Sequence, residues 1–240
     1  MQATSYGTRR RNRMTILVGM VGLDGIILAA DQKLVDPAED DKDLDDCSDI
    51  LKIRHLGRQK IVYAGAGDYI PWQVGRHLGD PGFDFGAVSD SLQTLAEQTI
   101  TAEKRKYTPN NFPEGIRRSL LVAFYGDQLP EPQLWSVKIL APPFDCVVDR
   151  IRGIAFEGAL GNRARFFGHY FKPAPISKLK LLAAHIVLTA AQFDSGMIGG
   201  LDLATIDGAG CRLADEIEKQ SLREKSEKLD RSIRDHLFGE

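Results

Sequence analysis

Apolar residues come in short runs broken by glycine or charge, and their spacing sets most of the expected secondary structure. Positions 16–21 and 26–30 are almost wholly apolar. Gly22-Leu23-Asp24-Gly25 separates them, which predicts two strands joined at a tight Asp-Gly turn. Further strands are predicted at 50–53 and 60–64 around Gly57, at 119–125, at 133–139 with an alternating pattern, at 151–156 and at 201–206. Between them the period lengthens. Val88, Leu92, Leu95 and Thr99 recur at spacings of three and four and predict a helix over 86–106. Leu179, Leu182, Ile186, Ala190 and Phe193 form the stripe of a second helix over 177–193, with Pro175 ahead of it and Gly196 beyond. A short helix is expected at 163–171. A charged amphipathic helix is expected at 212–237, with Leu213, Ile217, Leu222, Leu229 and Ile233 on its apolar side. Strand runs alternating with helices, without an internal repeat or long linker, predict one α/β domain in which two sheets are sandwiched between helix layers.

Composition narrows the class. The chain has 240 residues, 43% of them apolar and 27% charged, enough for a packed core without disulfide staples. A net charge of -2 argues against a general nucleic-acid binder. Cys47, Cys146 and Cys211 are widely spaced, form no CxxC pair and match no structural zinc spacing; a reduced, cytoplasmic setting with no metal or cofactor is expected. No apolar run approaches the roughly 20 residues of a membrane span, so no membrane partner is expected either. Residues 1–14 carry Arg9, Arg10, Arg11 and Arg13 and read as a polar leader, or as a misassigned start before Met14; residues 15–240 form the expected domain. The acidic stretch 36–49 lacks the glycine and closing glutamate of a calcium loop and reads as a solvated loop. The five histidines show no paired spacing with serine or cysteine and read as surface or core residues.

The chemistry concentrates at the first hairpin. Thr15 opens its first strand and Asp31 closes its second. If the residues before Thr15 are removed, its hydroxyl and a free α-amine belong to one residue, a nucleophile and a base in the same place. Ala64-Gly65-Ala66-Gly67-Asp68 is not a phosphate-binding P-loop, since the GK[ST] ending is absent; its glycines allow close approach of a ligand to backbone N–H groups.

From Thr15 to about Ile206 this ordered set resembles the proteasome β-subunit family and its bacterial relatives. Thr15 and Asp31 have that family's separation, Lys33 stands where it usually has arginine, and Lys52 in Lys52-Ile53-Arg54-His55-Leu56 matches its catalytic lysine. Gly65 falls where the family carries an oxyanion-hole glycine. The segment 193–200 looks like its Asp-plus-serine loop, which brings in Asp194 and Ser195. Gly158-Ala159-Leu160-Gly161-Asn162 looks like its Gly-Ser-Gly segment, with Asn162 in place of serine. The sequence departs from the pattern in its longer acidic loop, in Met14 instead of glycine before Thr15, and in the displacement of Gly199 and Gly200 from Ser195.

The resemblance implies the N-terminal-nucleophile hydrolase fold, an αββα sandwich of antiparallel sheets, and threonine-type peptide hydrolysis. Thr15 would attack, Lys52 paired with Asp31 would favour the alkoxide, with Asp31 keeping the lysine charged, and Gly65 would hold the oxyanion. Asp194, Ser195 and Asn162 would orient the amine or a water, while Lys33 and Gln32 would border the substrate pocket. It also implies a homo-oligomeric ring, a protein or peptide substrate and an unfoldase ATPase partner, with the 212–237 helix and the helix around Leu92 as contact surfaces. A catalytically inactive ring subunit, an amidase acting on a small molecule and an Arg-rich nucleic-acid arm are the competing readings.

Overall fold

The computed structural model describes residues 15–32, 52–56, 60–67, 70–104, 118–126, 129, 131–140, 145–158, 160–193 and 199–239. The leader, the acidic loop 36–49, Cys47, Lys33, Asp194 and Ser195 lie outside the described residues.

Among the described residues, ten strands form two antiparallel sheets. In the first, Gly210–Leu213 (β10), Asp202–Asp207 (β9), Gly25–Ala30 (β2), Leu17–Val21 (β1) and Ile154–Glu157 (β8) lie side by side in that order. The second runs Ile53–Leu56 (β3), Ile61–Ala66 (β4), Arg118–Phe124 (β5), Gln133–Ile139 (β6) and Cys146–Ile151 (β7). Helices Ile70–Arg76 (α1) and Val88–Lys104 (α2) cover the second sheet; Gly161–Ala164 (α3), Ile176–Phe193 (α4) and Glu216–Phe238 (α5) belong to the first.

Strand alternation sorts the side chains into three apolar layers. Ile26, Leu28 and Ala30 of β2 point between the sheets, where they meet Val62, Ala64, Leu121, Ala123 and Ala204. Ile27 and Ala29 of the same strand point the other way, into a layer with Leu179, Ala183, Ile186 and Val187 of α4. On the far side, Leu120, Val122 and Phe124 of β5 pack with Val74, Leu92 and Ala96. Each large aliphatic side chain fully buried this way contributes roughly 1.5–3 kcal/mol. The result is the expected four-layer αββα sandwich.

Several boundaries differ from the expectation. The strand expected at 50–53 begins at Ile53, leaving Lys52 just outside its ladder. The strand expected at 151–156 is two strands: β7 is an edge strand with alternating exposure, and the chain turns at Arg152-Gly153 to cross into the other sheet as β8. Gly210–Leu213 pairs with β9 instead of starting the last helix, which begins at Glu216 behind an Asp215 cap that accepts from Glu218 N–H at 2.8 Å. Leu92, expected beside a contact surface, is completely buried beneath α2. Along α5 the buried face is Lys219, Leu222 and Ser226, whereas Ile217, Leu229, Ile233 and Leu237 are exposed. Ser226 is held by His185 of α4, Oγ to Nδ1 at 2.9 Å. The hairpin turn does more than reverse the chain: Asp24 accepts from Ile176 N–H at 2.7 Å and so caps α4 from the far end of the sequence.

Gly19 of β1 shows how tightly the sheets approach. A Cβ there would lie 2.8 Å from Leu134 Cδ2 of the facing sheet and 3.2 Å from Leu121 Cδ1. Gly19→Val is therefore expected to cost about 1–3 kcal/mol through overpacking, read as a lower urea midpoint with an unchanged slope.

Candidate active site

The antiparallel register of β1 and β2 places Leu17 opposite Ala30, so the residues just beyond the ladder, Ile16 and Asp31, also face each other. Ile16 N–H donates to Asp31 Oδ1 at 3.0 Å, and Asp31 N–H donates to the Ile16 carbonyl at 3.4 Å. This fixes the carboxylate beside Thr15, the residue preceding Ile16. Lys52 comes from the other sheet, one residue before β3. Its Nζ lies 2.7 Å from Asp31 Oδ2 and donates to Thr15 Oγ1 at 3.3 Å. Asp31 is 0% exposed, Lys52 1% and Thr15 7%.

Burial dominates the electrostatics of the pair. It raises the Asp31 carboxyl above its ordinary value, against the attraction and hydrogen bond of Lys52. It lowers Lys52 below its ordinary value, against the opposing pull of Asp31 and Asp202. Desolvation thus works against the pairing by which Asp31 is expected to keep Lys52 charged. A lysine so placed releases its proton more readily than one in water.

The other wall of the site is backbone. Gly158, at φ 84°, sits so close to Thr15 that a Cβ there would run into the Thr15 carbonyl, and the same point faces Ala66 Cβ at 3.5 Å. Its N–H donates to Ser119 Oγ at 3.3 Å. The end of β4 thus borders Thr15. Gly65 belongs to β4 opposite Leu120, and a side chain on it would meet Trp72 at 3.1 Å and Pro71 at 3.2 Å. Gly67, just past the strand, has φ 106°.

The structure therefore brings Thr15, Asp31 and Lys52 together. Asn162 is exposed on α3. Gln32 is half-buried; its Nε2 donates to Asp202 Oδ1 at 2.8 Å and its N–H to the Gly199 carbonyl at 2.7 Å. Sequence reasoning missed Gly158, Ser119 and Asp202. Asp202 left a readable signal, a carboxylate in the apolar run Leu201-Asp202-Leu203-Ala204; buried acids are rare unless paired. Gly158 stands in the 158–162 segment, but nothing there marks its closeness to Thr15, because a glycine that avoids a distant carbonyl resembles any turn glycine.

Burial pushes the thiols of Cys146 and Cys211 up to about 11, so neither is poised as a nucleophile. Among the described residues no three His, Cys, Asp or Glu side chains gather as metal ligands, and no helix is long and apolar enough to cross a membrane.

No protein-family model matches the sequence, and no curated protein matches it. Among solved structures the chain is similar to Anbu (ancestral beta-subunit) from Yersinia bercovieri, with a TM-score of 0.65, 14% sequence identity, and coverage of 94% of this chain and 98% of that one. At that identity the likeness is one of fold alone, an αββα sandwich of two antiparallel sheets between helix layers.

Lys52→Ala would leave Asp31 buried without its cation, at a cost of about 3–5 kcal/mol. The raised Asp31 carboxyl also gives this variant a pH signature. A carboxyl whose folded value exceeds its unfolded one stabilises most below the unfolded value, about 3.9 for aspartate. That contribution is lost as pH rises through the folded value. Urea unfolding of Lys52→Ala should show stability falling as pH rises from about 4, and adding Asp31→Asn should flatten the slope.

Proposed function

We propose that this chain is a proteasome-like subunit that hydrolyses peptide bonds, with Thr15 as an amino-terminal nucleophile freed by removal of residues 1–14. The observation that carries the reading is the buried Thr15–Lys52–Asp31 contact, 3.3 and 2.7 Å on the lysine, within an N-terminal-nucleophile hydrolase fold. Lys52, lowered by burial, accepts the Thr15 hydroxyl proton while Oγ bonds to the scissile carbonyl carbon. The oxyanion is held by backbone N–H at the end of β4, where Gly65 and Gly67 lie; one such donor is typically worth about 10²–10³ in rate. As the C–N bond breaks, the proton passes to the leaving amine. The free Thr15 amine, ordinarily near 7.7–8.0, then takes a proton from the water that attacks the ester and gives it to Thr15 Oγ as the acyl C–O bond breaks.

Asp194, Ser195 and Asn162 complete the proposed set as groups that orient the amine or that water, and Lys33 and Gln32 border the peptide. The proposed partners are a protein or peptide substrate, further copies in a homo-oligomeric ring and an unfoldase ATPase, in the cytoplasm. The exposed apolar residues of α5, Ile217 at 82% and Leu237 at 66%, favour assembly.

Intact-mass measurement on the native protein is expected to give a chain beginning at Thr15. A peptide epoxyketone, which needs both the hydroxyl and the amine, should label wild type and not Thr15→Ala, whose peptide hydrolysis should fall to background. A free Thr15 that neither labels nor hydrolyses would make the chain an inactive ring subunit instead. Because Lys52 is lowered, kcat/KM should climb with pH and reach its plateau below the ordinary lysine value of about 10.4.

A further inference from the structure

We infer that Asp202 is a positioning residue for Lys52, and that Lys219 of α5 is its buried counter-charge, so that the last helix reaches the nucleophile through one carboxylate. The inference rests on the reading of Lys52 as the group that handles the Thr15 proton.

Asp202 opens β9 and is 3% exposed. Its Oδ2 accepts from the Lys52 backbone N–H at 3.0 Å. Its Oδ1 accepts from Gln32 Nε2 at 2.8 Å and from Lys219 Nζ at 3.5 Å. Donors from three separate parts of the chain thus converge on one buried carboxylate. Two of them are the neighbours that matter: Lys52 itself, and Gln32, which directly follows Asp31.

The geometry explains why such a clamp is needed. Lys52 lies one residue outside the β3–β4 ladder, which starts at the Ile53–Ala64 pair. Its Nζ stands at the end of a four-carbon stem, and that stem ends within hydrogen-bond reach of Asp31 and Thr15 only if the backbone is held. Asp202 holds it, while Asp31 holds the tip. The same carboxylate ties down Gln32, so the two backbone segments that bring in Asp31 and Lys52 share one anchor.

Charge completes the picture. A buried carboxylate without a cation is strongly unfavourable. Lys219, itself 6% exposed, supplies the cation from the inner face of α5, and its Nζ also lies 2.8 Å from Glu216 Oε1 at the helix start. Among the described residues, the charged groups facing this chain of contacts are Asp31 on Lys52, Lys219 on Asp202, and Glu216 on Lys219. Asp202 favours the protonated form of Lys52, and Lys219 offsets Asp202.

Opposite signs follow for two substitutions. In Asp202→Asn the negative charge near Lys52 is gone, and the Lys52 midpoint should move to lower pH. In Lys219→Gln the offsetting cation is gone, and the midpoint should move to higher pH. The test is a titration of lysine Cε resonances on the full-length protein, with Lys52→Arg to assign the signal and peptide kinetics in parallel. Asp202→Asn should also lower kcat on the order of tenfold to a hundredfold by misplacing Lys52 Nζ, with little change in KM. Ser226→Ala, which loosens α5 from His185 without touching Asp202, should leave the midpoint in place. A purely structural role for Asp202 and Lys219 would lower stability in both variants and shift neither midpoint; that result overturns the inference. If Asp202→Asn does not fold, the direction of the Lys219→Gln shift decides alone. If both midpoints move as expected while wild type with a free Thr15 hydrolyses no peptide, the peptidase reading fails and the positioning role stands.

Discussion

A lysine and an aspartate buried together, 2.7 Å apart and shielded from water, are the constraint on which this structure turns. Neither charge is favourable there alone, because desolvation of each ion costs several kcal/mol and only close pairing offsets it. The two residues come from different sheets, Asp31 from the end of β2 and Lys52 from the approach to β3. The pair therefore exists only when the sheets are packed in one relative position. Whatever keeps the inter-sheet layer tight also keeps Thr15 Oγ within reach of an amine whose proton affinity has been lowered.

That layer is built to bring backbones close. Ala30, Ala64, Ala66, Ala155 and Ala204 line it among larger aliphatics, and Gly19 leaves room that Leu134 of the facing sheet takes up. Close packing of this kind transmits displacement, since interiors have few voids in which a shift can be absorbed. Gly158 extends the same principle to the site: its missing side chain lets the turn after β8 lie directly against the Thr15 carbonyl. Thr15 is thus held from one side by charge and from the other by contact with the main chain.

Besides their apolar packing, the outer layers are joined to the site by polar ties. Asp24 in the first turn caps α4, His185 of α4 holds Ser226 of α5, and Lys219 of α5 reaches Asp202 behind Lys52. The links from α5 run from its buried face inward. The last helix thus has two unlike sides: an exposed outer side carrying Ile217, Leu229, Ile233 and Leu237, and an inner side whose Lys219 meets Asp202, the carboxylate that holds the Lys52 backbone.

Much of this was legible in the residue pattern. The first hairpin, β4 to β6, α2 and α4 declare themselves because each buries one face along a regular period, and that period is written locally. Thr15, Asp31 and Lys52 could be picked out as an ordered set. β7 and β10 escaped because edge strands need less apolar alternation, and Asp202, Ser119 and Gly158 escaped because their meaning lies in partners far along the chain. Local order thus came from the sequence alone, through hydrophobic periodicity and turn chemistry. The distances at Thr15, the lowered lysine and the buried carboxylate of Asp202 were decided by tertiary packing, because desolvation and charge pairing depend on what surrounds a group in space and not on what adjoins it in the chain.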